Sequence, residues 1–177
     1  MKFAKLALLV GMGLVGMNAA NAADQGSGTV TFTGSIIDAP CSITPTTADQ
    51  TVDLGQVSSA ALADGGTSTP QNFQINLENC QVSATTPAAV TVTFSGTADS
   101  TDPTMLGLAG TASGAGIVIA DQSTQPIDLG TPSNATDLLE GDNTLQFAAW
   151  LKGESGASAT VTPGDFQSVA NFTLAYQ

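Results

Sequence analysis

Residues 29–36 alternate between apolar and hydroxyl-bearing side chains, and this pattern is the strongest constraint on the fold. Val30, Phe32 and Ile36 share one face, on which Gly34 is the one position without a side chain. A period of two is typical of a β-strand with one buried face. The Asp-Ala-Pro at 38–40 does not predict a tight hairpin. Two alternatives therefore stay open: the first strand of an ordinary β-sandwich, or a strand that pairs with another molecule.

Short alternating runs recur along the rest of the chain, bounded by Gly, Pro, Asn and Asp, and no long stretch has helical periodicity. This pattern predicts an all-β sandwich. We predict one short helix, at residues 58–63, which Asp64-Gly65-Gly66 ends. The predicted strands after the first are residues 50–57, 72–80, 90–95, 116–120, 144–151 and 166–176.

Residues 1–22 have the features of a secretory signal peptide. Lys2 and Lys5 precede an apolar run at 6–15, and Ala20-Asn21-Ala22 forms a small-x-small cleavage site. We therefore expect export and a mature chain of about 155 residues, which is the size of one domain.

Removal of the leader leaves Lys152 as the single cation against 15 carboxylates, a net charge of −14. Nucleic-acid binding is not expected, because it depends largely on cationic contacts to phosphates. The chain has no His, the side chain most used for proton transfer and metal binding near neutral pH. Lys152 lies in no catalytic motif, and no spacing singles out a pair of carboxylates. We expect neither an enzyme nor a cofactor or metal, and we interpret Asp137, Glu140 and Asp142 as a solvated acidic loop.

Cys41 and Cys80 are the only cysteines. In an exported chain they predict one disulfide. Closing a loop of this length stabilises the folded state by about 4 kcal/mol in the chain-entropy model.

The C-terminus carries a second distinctive pattern. Gly164 is the fourteenth residue from the end, Tyr176 is penultimate, and an apolar face precedes it. These features resemble the C-terminal signature of chaperone–usher pilins, and further stretches match that family in order, at 30–34, 36–41, 49–57 and 77–80. The chain resembles a major subunit of the type 1 or P pilus kind. The residues of the apolar C-terminal face are Phe166, Ala170, Phe172, Leu174 and Tyr176.

The resemblance implies an incomplete immunoglobulin-like β-sandwich that a donor strand completes in trans. Its organisation would be a signal peptide at 1–22, an N-terminal extension at 23–36 and a pilin domain at 37–177. In the extension, Val30, Phe32 and Ile36 would enter a neighbour's groove, with Gly34 at its shallow part. The groove would lie along the C-terminal edge, which includes Gly164, Phe166, Ala170, Phe172, Leu174 and Tyr176.

The implied partners are other copies of the chain, other pilus subunits, a periplasmic chaperone and an outer-membrane usher. The implied location is a cell-surface fimbria that supports adhesion, reached through the periplasm. Two alternatives remain at this point: a minor or adaptor pilin, and a monomeric secreted sandwich that binds carbohydrate.

Overall fold

The computed structural model describes residues 28–83, 89–156 and 159–177. The predicted signal peptide lies outside these residues. The chain divides into two units, Met1–Ile36 and Ile37–Gln177. In the first unit, the described residues 28–36 belong to no helix or strand, and Val30, Phe32 and Ile36 are exposed.

The larger sheet of the second unit has six antiparallel strands, and its longest members match predicted runs. Burial alternates along much of the strands at 71–80 and 141–153, which places one face in the core as the sequence pattern predicts. The strand at 115–121 is instead buried at every position from 115 to 120. The strands follow the order Ser42–Ile43 (β1), Gln71–Cys80 (β2), Gly141–Gly153 (β9), Ala115–Asp121 (β6) and Leu106–Gly107 (β4), with Pro126–Ile127 (β7) also paired to β6.

The second sheet has three strands, with Ala89–Gly96 (β3) between Thr136–Asp137 (β8) and Ala170–Tyr176 (β11). A separate two-stranded ribbon pairs Ala109–Gly110 (β5) with Phe166–Gln167 (β10). The prediction of one continuous strand at 166–176 is therefore wrong. The chain changes partners near Ser168, whose hydroxyl donates to the Gly107 carbonyl oxygen.

Of two other predicted elements, one is wrong and one is confirmed only in part. Residues 50–57 form no strand, because Gly55 turns the backbone at φ +70° and donates its N–H to Asp53 Oδ1 at 2.8 Å. The predicted helix at 58–63 is present as helical turns of the 3₁₀ type, but these form two separate elements, Ser59–Ala61 and Ala63–Gly65. The α-helix lies instead at Pro45–Ala48 (α1), where Pro45 supplies the backbone angle that begins a helix.

The core lies between the two sheets. Phe94 of β3 meets Phe73 and Phe147 of the larger sheet edge to face, with ring centroids 6.1 Å and 5.2 Å apart. This geometry favours aromatic pairs beyond their buried area. The predicted disulfide between Cys41 and Cys80 is confirmed, and it ties the segment before β1 to the end of β2.

Candidate functional site: an open edge beside the C-terminal strand

Strand β11 has a partner on one side. It pairs with β3 from Ala170 opposite Gly96 to Tyr176 opposite Val90, and no other strand of the described residues joins it. Beyond the strand end, Gln177 and Ala89 exchange both N–H···O bonds at 3.0 Å. Because bonded and non-bonded pairs alternate in an antiparallel ladder, the backbone groups of Tyr176 point away from β3. Those of Leu174 and Phe172 do the same, so this edge can accept another strand.

The core is closed at β3 and open at β11. Val90, Val92 and Phe94 are exposed by only 1%, 2% and 3%. Their register partners Tyr176, Leu174 and Phe172 pack on the same core but stay only half-buried. The second unit therefore leaves apolar side chains beside an unpaired strand edge.

A cleft of about 340 Å³ runs along this edge. One wall is β11, and the other is the segment that leads into β1, the edge strand of the larger sheet. Both walls are mainly apolar, which suits an extended segment with alternating apolar side chains. The lining residues are Ile37, Asp38, Ala39, Ile43, Phe172, Thr173, Leu174 and Tyr176.

The electrostatics of the cleft are simple. Asp38 is its charged lining residue and is exposed, and no cation lines it. Burial raises the pKa of Tyr176 above the ordinary 10.0, because the phenolate would lose hydration in the half-buried site. The cleft therefore favours uncharged, apolar occupants.

The structure brings together only part of the predicted acceptor edge. Phe172, Leu174 and Tyr176 line the cleft, whereas Ala170 shares their face of β11 but is not among the lining residues. Phe166 lies in the ribbon, opposite Gly110. Gly164 precedes that ribbon, where an added Cβ would lie 2.6 Å from the Ala112 nitrogen and also meet Thr111 Oγ1.

Sequence reasoning missed the opposite wall, which Ile37, Ala39 and Ile43 supply. Two sequence signals could have indicated this wall: Ile37 and Ala39 lie in the family-like stretch at 36–41, and all three residues flank Cys41, which the disulfide fastens to β2. The predicted donor residues Val30, Phe32 and Ile36 remain exposed, and a Cβ added at Gly34 would meet no atom within 4 Å.

A two-sheet antiparallel sandwich with an open edge of this kind defines a class, the immunoglobulin-like fold that lacks a strand. Residues 30–177 match the family model described as "Fimbrial protein", and the chain belongs to that family.

Relatives and a solved structure agree with this assignment. The chain is 55% identical to the Fimbria A protein of Serratia marcescens and 52% identical to the Major MR/P fimbria protein of Proteus mirabilis, with all of each chain covered. A subunit from a structure of a chaperone–usher pilus, solved in relation to rod uncoiling, superposes with a TM-score of 0.76 at 36% identity. That match covers 86% of this chain and 97% of the other.

The protein is thus a structural subunit of a cell-surface fimbria of the chaperone–usher type, and copies of itself and other subunits are its partners. This assignment favours a major subunit over the monomeric carbohydrate-binding module and over a minor subunit. Among the described residues, no helix is long and apolar enough to cross a membrane.

Proposed function

We propose that the subunits polymerise by strand donation, in which residues 23–36 of one copy enter the cleft of the next. The observation that carries the proposal is the unpaired edge of β11 above half-buried apolar side chains. The same chain carries an exposed segment with the alternation that such an edge requires. Val30, Phe32 and Ile36 would enter the cleft, and Gly34 would lie at its shallow part.

The energetics suit this role. Burying three side chains of this size contributes about 1.5–3 kcal/mol each, or roughly 5–9 kcal/mol as an upper estimate. Each main-chain hydrogen bond to the β11 edge adds about 1 kcal/mol. Since the donor segment and the cleft are different surfaces, the contact is heterologous and does not close, so repetition produces a fibre.

Assembly needs protection for the cleft before polymerisation. An apolar cleft beside an unpaired strand edge promotes aggregation. We propose that a periplasmic chaperone lends a strand to β11 during export, and that an outer-membrane usher exchanges it for the extension of the next subunit. Assembled fibres on the cell surface would then support adhesion.

Exchanging Gly34 for Leu tests strand donation. No atom lies within 4 Å of an added Cβ at Gly34, so the subunit should fold and accumulate as a soluble complex with its chaperone. The larger side chain should prevent entry into a neighbour's cleft, so surface fibres should be lost. Soluble subunit and surface fibres would be measured separately by immunoblotting and electron microscopy.

Ser35→Leu is the matched control, because Ser35 lies on the opposite face of the same segment and should not enter the cleft. It should leave both amounts unchanged. Normal fibres from Gly34→Leu, or loss of its soluble subunit, would contradict strand donation.

A further inference from the structure

Val169 is an exposed apolar residue just outside the open edge of β11. It immediately precedes that strand, and 65% of its surface is exposed. Its backbone is held from two sides. The Ser168 hydroxyl donates to the Gly107 carbonyl oxygen, and a Cβ added at Gly96 would lie only 2.7 Å from the Val169 carbonyl oxygen. An apolar side chain on so ordered a backbone loses little entropy when it makes a contact.

Ile37 is a second exposed apolar residue, and it directly follows the proposed donor segment. Its surface is 58% exposed, although it also lines the cleft of its own copy. The chain after it is anchored, because Cys41 is bonded to Cys80 and the Gln81 N–H donates to the Pro40 carbonyl oxygen at 2.9 Å. Ile37 therefore lies where the donor segment leaves an anchored part of the chain.

Strand donation restricts how the donor segment can lie against β11, and the inference below rests on that proposed function. All strand pairs of the described residues are antiparallel, and antiparallel pairing is slightly more stable per residue. The free backbone groups of β11 belong to Tyr176, Leu174 and Phe172. The inward, even-numbered residues of an antiparallel donor therefore lie opposite these three, and the possible registers differ by steps of two residues.

One register gives every apolar donor side chain a partner on β11. A shift of two residues in one direction moves Val30 past Tyr176, the last residue of the strand. A shift in the other direction moves Ile36 past Ala170, the first residue. The unshifted register also combines large side chains with small ones, because Gly34 faces an aromatic ring and Ile36 faces a methyl group. Its pairs, with the donor residue first, are Val30 with Tyr176, Phe32 with Leu174, Gly34 with Phe172 and Ile36 with Ala170.

We infer that Ile37 of each donor copy packs against Val169 of the copy that receives its segment. In the unshifted register, position 37 of the donor follows the last pair and lies opposite position 169 of the acceptor. Both residues then lie on the outer face of the completed sheet, since their neighbours Ile36 and Ala170 face inward. A second copy is the favoured occupant because the donated strand itself brings Ile37 to Val169. The contact lies outside the cleft and restricts bending between adjacent subunits.

Cysteine pairing tests the register. Ser35 of the donor should lie opposite Asn171 at a non-hydrogen-bonded position, where Cα atoms are about 4.5 Å apart and a disulfide can form. Fibres that carry Ser35→Cys with Asn171→Cys should therefore give a ladder of linked subunits on a non-reducing gel. Thr33→Cys with Asn171→Cys is the matched control for a shifted register, and Thr31→Cys with Asn171→Cys is the control for a parallel strand. Neither control should give a ladder.

The cysteine variants also separate this inference from strand donation itself. A ladder from either control pair would overturn the inference, because Ile37 would then lie away from Val169, but it would still support strand donation. Failure of strand donation would look different, since no pair would link the subunits, and the inference would fail with it.

Val169→Ser tests the contact, with Leu139→Ser as the matched control. Leu139 is similarly exposed, at 72%, and neither residue lines the cleft. Fibres of each variant would be heated in steps, and the released subunits would be separated by centrifugation and measured. We expect Val169→Ser fibres to release subunits at a lower temperature than the unsubstituted protein, and Leu139→Ser fibres to match it. Equal release temperatures for the two variants would overturn the contact.

A second substitution tests whether the two side chains act as a pair. Ile37→Ser alone affects the cleft of its own copy as well, so the informative comparison is between backgrounds. If the side chains pack together, Val169→Ser should lower the release temperature less in fibres that already carry Ile37→Ser. The same decrease in both backgrounds would show that Val169 has another partner and would overturn the inference.

Discussion

The pKa of Tyr176 depends on how much water reaches the cleft. It is the only tyrosine of the chain, it lines the cleft, and its register partner Val90 is fully buried. Because burial already raises its pKa, folding stability is fully present below the ordinary value of 10.0 and falls as the pH rises through the folded-state pKa.

We predict that polymerisation raises the pKa of Tyr176 further, because a donated strand would remove more water from the phenol. The ultraviolet absorbance of the phenolate, followed during alkaline titration, measures this pKa in subunits and in fibres. Tyr176→Phe should abolish the signal in both. The same titration midpoint in both states would show that the cleft stays open in the fibre.

Alternate residues of strand β11 have different roles. Its inward residues, such as Leu174, face the cleft, whereas Ala175 is exposed on the other face and its carbonyl accepts from the Thr91 hydroxyl. Alternate positions of one strand therefore separate cleft function from general strand formation.

We predict that Leu174→Asp sharply reduces fibres while Ala175→Asp has a much smaller effect. The first change removes an apolar side chain whose burial stabilises the completed sandwich by about 1.5–3 kcal/mol. It also introduces a charge into an apolar cleft. The second lies on the solvent side, where substitutions usually change stability by about 0.5 kcal/mol or less. Quantifying fibres and soluble subunit for each variant makes the comparison. Equal effects would mean that β11 acts only as a resident strand.

At the scale of the whole molecule, charge opposes assembly and apolar burial supports it. The net charge of −14 expected for the mature chain makes neighbouring subunits repel one another. At physiological ionic strength this repulsion extends over only about 8 Å. Strand pairing and side-chain burial act at shorter range and depend little on salt.

We predict that high salt at neutral pH leaves the strand-linked fibres intact. Sedimentation of fibres across a series of salt concentrations provides the measurement, with the pelleted fraction as the readout. Release of subunits by salt alone would show that ionic contacts join the subunits.

The sequence by itself determined the central strands and the covalent link. Short runs with recurring apolar side chains predicted four strands, β2, β3, β6 and β9. They could be predicted because a buried strand face requires apolar residues that lie close together in the sequence. Cys41 and Cys80 pair because an exported chain with two cysteines has one intramolecular disulfide available. The ordered motifs at both ends also indicated the family.

Only the tertiary structure decided which strand edges find partners. Leu54 and Val57 pack on the core without forming a strand, because the turn at Gly55 leaves the segment without a ladder. Phe166 has the same parity as Phe172, yet its segment pairs with β5 and only Phe172 lines the cleft. Side-chain periodicity reports which face of a segment is buried, whereas pairing depends on residues far away in the chain. The open edge of β11, which the proposed polymerisation uses, is a property of that long-range arrangement.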